Sequence, residues 1–214
     1  MKAITPAPHP GFWAPIQVLR ESLNSSAFWI LAGSFFVCGL STNGLIQTHF
    51  ISYCGDVGVP AVTAASVLAM MGVFDFFGTL GSGWLSDRVD NRALLFMYYG
   101  LRGLSLIYLP GSSFSMGSLS FFAMFYGLDW IATVPPTVKL AANNFGANRA
   151  GVAFGWIFAA HQMGAATAAY GGGLARTLSG AYTPAFYVAG VMCLVVALAV
   201  WRLGGRTQLA PVAA

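Results

Sequence analysis

Long apolar segments separated by short polar turns dominate the hydrophobic pattern of this chain. A helix needs about 20 predominantly apolar residues to cross the hydrocarbon core of a bilayer. Six segments are apolar and close to this length or longer, at about 27–50, 61–86, 93–110, 114–138, 151–175 and 183–203. The pattern therefore predicts an all-α membrane protein with six transmembrane helices.

The segment that precedes the first predicted span has a different pattern. Within 12–24, apolar residues recur at helical spacing, at Phe12, Ile16, Leu19 and Leu23. This spacing predicts a short amphipathic helix on the membrane surface. We therefore divide the chain into a cytoplasmic linker with this helix (1–26), a six-helix transmembrane domain (27–203) and a cytoplasmic tail (204–214).

Composition supports a membrane protein. The 214 residues are 57% hydrophobic and only 7% charged, whereas soluble domains have about 25% charged residues. The net charge of +4 does not indicate nucleic-acid binding, because the basic residues lie between the predicted spans. Cys38, Cys54 and Cys193 are too widely spaced for a C-x-x-C pair, so we expect neither a disulfide framework nor a metal site. No cofactor is expected.

The basic residues predict the orientation of the spans. With the N-terminus in the cytoplasm, Arg176 falls outside and Arg102 falls within a span. The other eight of the ten basic residues fall inside, at Lys2, Arg20, Arg88, Arg92, Lys139, Arg149, Arg202 and Arg206. Cytoplasmic loops carry an excess of Lys and Arg in such proteins. This bias predicts that both termini are cytoplasmic, in a multi-pass protein of the cell (inner) membrane.

Small residues and prolines mark how the helices pack. The fifth span has small residues at every fourth position, which lets helix backbones approach closely. Pro135 and Pro136 predict a kink near the end of the fourth span. The sequence GWLSD at 83–87 and the sequence GGLAR at 172–176 end the second and fifth spans in opposite orientations. This short similarity favours two inverted three-helix units, as in many transporters.

Four ionisable residues lie inside predicted spans, where such groups are costly. Counted from the nearest predicted cytoplasmic charge at about 1.5 Å per residue, Arg102 and Asp129 lie roughly 15 Å deep. Asp75 and His161 lie roughly 18 Å deep by the same count. Because four helices place these groups at similar depth, we expect them to meet at the middle of the membrane.

Each of these residues has a structural interpretation and a functional one. Arg102 and Asp129 either neutralise one another or contact solute. Asp75 either forms a packing hydrogen bond with Thr79 or carries a coupled proton, since desolvation favours a neutral carboxyl group. His161 is either a packed, hydrogen-bonded histidine or a titrating group.

Uncharged polar residues extend this region. Asn43 and Gln47 are four residues apart, so they share one face of the first span. They either make interhelical hydrogen bonds or line a solute path. The second span also has a face of small and polar residues, made by Gly72, Asp75, Thr79, Ser82 and Ser86. This face is expected to meet another helix or a watery cavity rather than lipid.

No enzyme motif is found. The chain lacks H-E-x-x-H, G-x-S-x-G and the P-loop pattern. An intramembrane enzyme that uses Asp75 and Asp129 has no motif to support it. We therefore expect a protein that is not an enzyme.

The turn after the second span carries a recognisable motif. The pattern Gly83-x-Leu85-x-Asp87-Arg88-x-x-x-Arg92 resembles the loop signature of the major facilitator superfamily of secondary transporters. Residues 26–202 resemble the second six-helix half of such a transporter. The local resemblance is to the monocarboxylate-porter and oxalate/formate-antiporter branches. Asp75 stands eight residues before Gly83, as an acid does in monocarboxylate porters.

The resemblance implies a fold and roles for the spans. The fold would be half of a major facilitator transporter, built from two inverted three-helix repeats. Spans one and four would line the central cavity, two and five would flank it, and three and six would support it from outside. Asp129 would then face the cavity, and Arg102 would be a structural partner. Asp87, Arg88 and Arg92 would close the cytoplasmic gate.

The chain also departs from this family. Asp90 stands where the motif usually has glycine, and Thr79 stands where both branches often have an anion-binding arginine. The chain supplies one six-helix half, so a second half would come from a separate chain or from self-association. The segment 1–24 resembles the loop that joins two halves, which favours a truncated product.

These observations lead to one functional hypothesis and one alternative. The hypothesis is secondary active transport of a small organic solute, a carboxylate, coupled to protons that Asp75 carries. The expected partners are the lipid bilayer, the solute, the proton and a second six-helix half. The alternative is a non-transporting membrane remnant or interaction protein derived from such a transporter.

Overall fold

The computed structural model describes residues 12–203, and all regular structure within that range is helical. The α-helices are α1 (Ala14–Ser22), α2 (Ser26–Gly39), α3 (Thr48–Asp56), α4 (Ala61–Ser86), α5 (Asn91–Tyr108), α6 (Met116–Asp129), α7 (Val134–Phe145), α8 (Ala147–Ser179) and α9 (Thr183–Val200). The prediction of an all-helical protein is confirmed. The proposed tail at 204–214 lies outside the described residues.

The first predicted span is longer than expected and is not uniformly α-helical. The π-helical segment Leu40–Gln47 joins α2 to α3, so that the helix runs continuously over Ser26–Asp56. A π-helix widens the backbone hydrogen-bond ring and is frequently found at functional sites. No sequence pattern pointed to this segment.

The fourth predicted span is broken. Residues 130–133 form a turn between α6 and α7, which we call the α6–α7 turn. Pro135 and Pro136 follow it in the first turn of α7. Proline lacks an N–H and its ring clashes with the carbonyl group four residues earlier, here at Ile131 and Ala132. The predicted kink is therefore present as an interruption of the helix just before the prolines.

Four helices of the described residues are long and apolar enough to cross a membrane. These are Ser26–Asp56, Ala61–Ser86, Asn91–Gly111 and Thr183–Val200. The third continues α5 through a short 3₁₀ turn, Leu109–Gly111. The fourth and fifth predicted spans correspond to the interrupted pair α6–α7 and to α8, which is 33 residues long.

The helices pack in three principal pairs. α2 and the π-helical segment pack on α8, α4 packs on α6 and α7, and α5 packs on α9. Each pair contains glycines where an added methyl group would lie within 3.0 Å of the partner backbone. They are Gly39, Gly44 and Gly164 in the first pair, Gly78 and Gly127 in the second, and Gly103 and Gly190 in the third. Small residues of this kind let helices approach closely without relying on a hydrophobic driving force.

The apolar core has two main parts along the bundle. One cluster includes Leu95 and Tyr99, and the other includes Leu106. These three residues lie on α5, with Arg102 between them and fully buried. The core therefore encloses a charged group at the junction of its two parts.

The N-terminal helix α1 is attached to α8. The Trp156 indole N–H donates to the Pro15 carbonyl oxygen at 3.0 Å. Glu21 and Arg149 form an ion pair between the same two helices. The apolar side chain of Ile16 is exposed, as expected for a helix whose apolar face meets a membrane surface.

Candidate solute and proton site

Arg102 and Asp129 form a buried ion pair. The Arg102 Nε atom is 3.0 Å from Asp129 Oδ2, and the two side chains are 0% and 2% exposed. The Nη2 atom of Arg102 is 3.2 Å from Asp129 Oδ1, which makes the pair bidentate. The structure thus contains the pairing that the sequence analysis considered, and an opposite charge at this distance offsets part of the desolvation cost.

Arg102 also donates to groups other than the carboxylate. Its Nη2 atom is 2.5 Å from the Asp129 carbonyl oxygen and 2.9 Å from the Trp130 carbonyl oxygen. Its Nη1 atom is 3.0 Å from Cys38 Sγ on α2. One guanidinium group therefore contacts the end of α6, the start of the α6–α7 turn and the first span.

Asp75 contacts the same turn from the opposite side. Its Oδ1 atom accepts from the Ile131 backbone N–H at 2.9 Å and from the Thr79 hydroxyl at 3.1 Å. The carboxyl group is partly buried and has no ion-pair partner among the described residues. The expected hydrogen bond with Thr79 is present, and the bond with Ile131 is additional.

Side chains satisfy the backbone groups that the α6–α7 turn leaves free. Ser82 donates to the Ala132 carbonyl oxygen at 2.5 Å, next to the Ile131 N–H held by Asp75. Arg102 donates to the carbonyl oxygens of Asp129, the last residue of α6, and Trp130, the first residue of the turn. Non-helical backbone at membrane depth is tolerated where it is buried in protein or lines a cavity. The three polar side chains explain how this interruption is accommodated.

The π-helical segment has a similar environment. The Tyr99 hydroxyl donates to the Ser34 carbonyl oxygen at 2.7 Å, and the Tyr126 hydroxyl donates to the Ser41 carbonyl oxygen at 2.8 Å. The Thr42 hydroxyl donates to the Cys38 carbonyl oxygen at 2.7 Å. Tyr126 of α6 thus holds a carbonyl group of the π-helical segment itself, and Tyr99 of α5 holds one in α2, earlier in the same span.

His161 lies beside the first span. Its ring stacks on Phe158 with centroids 5.1 Å apart, and its Nδ1 atom is 3.3 Å from the Gln162 amide oxygen. His161 also packs against α2 next to the π-helical segment, where its backbone leaves no room for a side chain at Gly39. His161 therefore belongs to the same polar region as Arg102, although it does not contact Asp75.

Asn43 and Gln47 lie on an accessible face of the π-helical segment. Asn43 is partly buried and Gln47 is exposed. Within residues 12–203, neither side chain makes an interhelical hydrogen bond; the Asn43 backbone carbonyl accepts from the Thr48 hydroxyl. The interhelical hydrogen bonds of the first interpretation are therefore not seen among these residues, and the role of Asn43 and Gln47 in a solute path stays a prediction.

The residues of the gate motif have separate partners. Asp87 forms an ion pair with Lys139 of α7, which the sequence analysis did not anticipate. The Lys139 ammonium group lowers the pKa of Asp87 below its usual range. The Arg88 guanidinium lies 4.2 Å from the Trp84 ring centroid. A methyl group at Gly83 would meet nothing within 4 Å in the described residues.

Arg92 and Asp90 organise the start of α5. The Asp90 carboxylate accepts from the Arg92 backbone N–H at 2.9 Å, and the two side chains pair at 2.7 Å. Asp90 has φ −61°, so the residue does not need the conformational freedom of glycine. The departure from the family motif at this position therefore provides a helix N-cap.

A second charged contact joins α3 to α8 at the other end of the bundle. Arg176 holds the Asp56 carboxylate with two hydrogen bonds of 2.7 Å. Tyr182 lies under the guanidinium and beside the ring of His49. His49 is buried, and its Nε2–H donates to the Ala169 carbonyl oxygen at 2.9 Å. The sequence analysis did not predict this contact, although the opposite charges of Asp56 and Arg176 at the ends of two predicted spans could have indicated it.

Two irregular helices with buried charges between them are a common feature of secondary transporters. Comparison with known proteins identifies the family. The family model described as Major Facilitator Superfamily matches residues 2–169. The chain belongs to the major facilitator superfamily and is a multi-pass membrane protein. Membership in a transporter family supports the expectation that it is not an enzyme.

Individual relatives lie near the monocarboxylate branch. The chain is 31% identical over 169 residues to the uncharacterized MFS-type transporter YcxA of Bacillus subtilis (strain 168), covering 77% of this chain and 39% of the relative. It is 29% identical over 148 residues to monocarboxylate transporter 13 of Rattus norvegicus, covering 68% and 34%. It is 27% identical over 169 residues to monocarboxylate transporter 12-B of Danio rerio, covering 76% and 35%. The matched part is therefore less than two-fifths of each relative.

Proposed function

We propose that this chain is one six-span half of a secondary transporter that moves a small carboxylate together with a proton. The two irregular helices would line the solute path, and Asp75 would bind the coupled proton. The second half would come from another copy of the chain, from a separate chain, or from a longer protein of which this sequence is part.

Six spans are consistent with the helices observed. The four apolar helices supply spans one, two, three and six. The interrupted pair α6–α7 covers 116–145 and α8 covers Ala147–Ser179, and each exceeds the roughly 20 residues that a bilayer requires. With both termini in the cytoplasm of an inner-membrane protein, the Asp87–Lys139 pair would lie at the cytoplasmic end and the Asp56–Arg176 pair at the outer end.

The packing of the helices supports two inverted three-helix repeats. The three helix pairs join span one to span five (α2–α8), span two to span four (α4–α6) and span three to span six (α5–α9). If spans one to three are exchanged with spans four to six, the first two pairs replace each other and the third pair maps onto itself. Gly127, Gly164 and Gly190 follow Gly39, Gly78 and Gly103 by about 87 positions each. The three helix pairs thus carry glycines at equivalent positions of the two units.

The two irregular segments are also separated by about 87 positions, and so are two titratable residues. The π-helical segment Leu40–Gln47 corresponds to the region that contains the α6–α7 turn, and Asp75 corresponds to His161. Asp75 contacts the irregular part of span four, and His161 lies beside the irregular part of span one. Each repeat therefore places one titratable side chain next to the broken helix of the other.

The charge on Asp75 gives a physical reason for proton coupling. An ionised Asp75 would repel a solute carboxylate, and no cationic side chain of the described residues pairs with it. Protonation removes this repulsion, so anion and proton would bind together. Arg102 is occupied by Asp129 and backbone carbonyl groups, so uncharged side chains such as Asn43 and Gln47 would hydrogen-bond the solute in this half.

The relatives support a carboxylate as the solute. Two of them are named monocarboxylate transporters, although the printed names concern those proteins and not this chain. The anion-binding arginine expected at Thr79 is missing here. A cationic group for the solute carboxylate would therefore come from the second half.

Proton-driven uptake tests this proposal. The purified chain is reconstituted in proteoliposomes, and uptake of radiolabelled lactate is followed with and without an inward proton gradient. We expect gradient-driven uptake by the native chain and by Thr79→Val, and its loss in Asp75→Asn. Unchanged gradient dependence in Asp75→Asn would refute the coupling role. No flux together with a monomeric state in detergent would instead support a non-transporting remnant or interaction protein.

A further inference from the structure

Arg102 contacts both irregular helices although it belongs to neither. It lies on α5, which takes no part in the irregular segments. Its Nη1 atom meets Cys38 Sγ at 3.0 Å, two residues before the π-helical segment begins. Its Nη2 atom meets the carbonyl oxygens of Asp129 and Trp130, where the α6–α7 turn begins.

We propose that Arg102 is a positioning residue that couples the π-helical segment of span one to the α6–α7 turn of span four. A rearrangement of either segment would then change the other through one guanidinium group. The proposal rests on the proposed function only in assigning these two segments to the solute path. Its structural part, the coupling itself, can be measured without transport.

The chemistry of arginine suits this role. The guanidinium group is planar, carries five N–H donors in a fixed fork and stays charged in proteins. A fully buried guanidinium can therefore hold the Asp129 carboxylate with one edge and still reach a carbonyl oxygen and a thiol. If Arg102 served only to neutralise Asp129, contacts with the Trp130 carbonyl and Cys38 would be incidental.

Local hydrogen exchange separates coupling from charge neutralisation. Amide exchange of the full chain in lipid nanodiscs is measured by mass spectrometry for peptides that cover 34–47 and 126–137. The main variant is Arg102→Gln/Asp129→Asn, which removes both charges and leaves neither uncompensated. We expect exchange to be about fivefold faster or more in both peptides, because each segment loses a buried hydrogen bond.

Two control variants each remove one contact from only one of the two peptides. Ser82→Ala removes the hydroxyl that donates to the Ala132 carbonyl, so only the 126–137 peptide should exchange faster. Tyr99→Phe removes the hydroxyl that donates to the Ser34 carbonyl, so only the 34–47 peptide should exchange faster. Tyr99 is on the same helix as Arg102, which makes this control a close match. Faster exchange of the 126–137 peptide alone in the double variant would overturn the proposal.

A milder variant keeps the test decisive if the double variant does not fold. Cys38→Ala removes the sulfur that Arg102 contacts, and with it the 3.5 Å contact between that sulfur and the Thr133 hydroxyl in span four. If Arg102 couples the segments, exchange should rise in the 126–137 peptide as well as in the 34–47 peptide. Thr133→Val is the control, because Thr133 meets Cys38 at 3.5 Å without contacting Arg102. An unchanged 126–137 peptide in Cys38→Ala, or the same change in Thr133→Val, would overturn the coupling.

Discussion

Gly78 on α4 lies so close to α6 that a side chain does not fit between the helices. A Cβ atom at this position would meet the Leu128 carbonyl carbon at 2.6 Å and the Leu128 Cα at 2.8 Å. Carbon atoms in contact prefer about 3.5–4.0 Å, so Gly78→Ala must push the two helices apart by roughly 1 Å. Overpacking of this kind costs about 1–3 kcal/mol. We expect the midpoint of thermal unfolding to fall by roughly 2–12 °C.

The assay is thermal unfolding in lipid nanodiscs, followed by tryptophan fluorescence. Gly81→Ala is the matched control, because Gly81 lies one turn further along α4 and a Cβ there would meet nothing within 4 Å. Alanine is favoured over glycine within a helix by about 0.5–1 kcal/mol, so this variant should be at least as stable as the native chain. Equal midpoints for Gly78→Ala and Gly81→Ala would refute the argument from close helix packing.

Three further predictions follow from the charged residues. Asp129→Asn leaves the charge of the buried Arg102 uncompensated and should lower the free energy of unfolding by about 3–5 kcal/mol. If the loss of stability in Arg102→Gln/Asp129→Asn equals the sum of the losses in the two single variants, the two side chains do not interact and the prediction is wrong. Lys139 lowers the pKa of Asp87, so their ion pair is intact above about pH 4 and is lost as the pH falls through the lowered pKa. The stability difference between the native chain and Asp87→Asn should thus be constant from about pH 5 to 8, and a slope across that range in unfolding measurements would contradict this. Asp90→Ala removes the N-cap of α5 and should cost about 0.5–2 kcal/mol, whereas Asp90→Asn should retain most of the cap; identical unfolding of the alanine variant and the native chain would exclude the capping role.

Several features could be predicted from the sequence because their cause lies in the sequence itself. The helical class follows from long apolar segments, since helices satisfy their own backbone in lipid. The Arg102–Asp129 pair could be considered because both charges lie at similar depth within predicted spans. The interruption of the fourth span could be expected from Pro135 and Pro136, which cannot complete helical hydrogen bonds.

Other features depend on tertiary contacts and could not be predicted. The π-helical segment contains Gly44, but a single glycine does not specify a π-helix, and the Ser41 carbonyl of the segment is held by Tyr126 from another helix. The Ile131 N–H that Asp75 binds is free only because the helix is interrupted there. Lys139 became a partner of Asp87 through the packing of α7 on α4, which the spacing of the two residues does not reveal.

The attachment of α1 to α8 has a practical consequence for measuring movement. The Trp156–Pro15 hydrogen bond and the Glu21–Arg149 ion pair attach α1 to α8 at two positions. If α8 tilts, α1 would therefore move with it. Ile16 projects from α1 away from the bundle. A spin label or fluorophore placed there would report rotation of the fifth span from the periphery, with the polar interior left untouched.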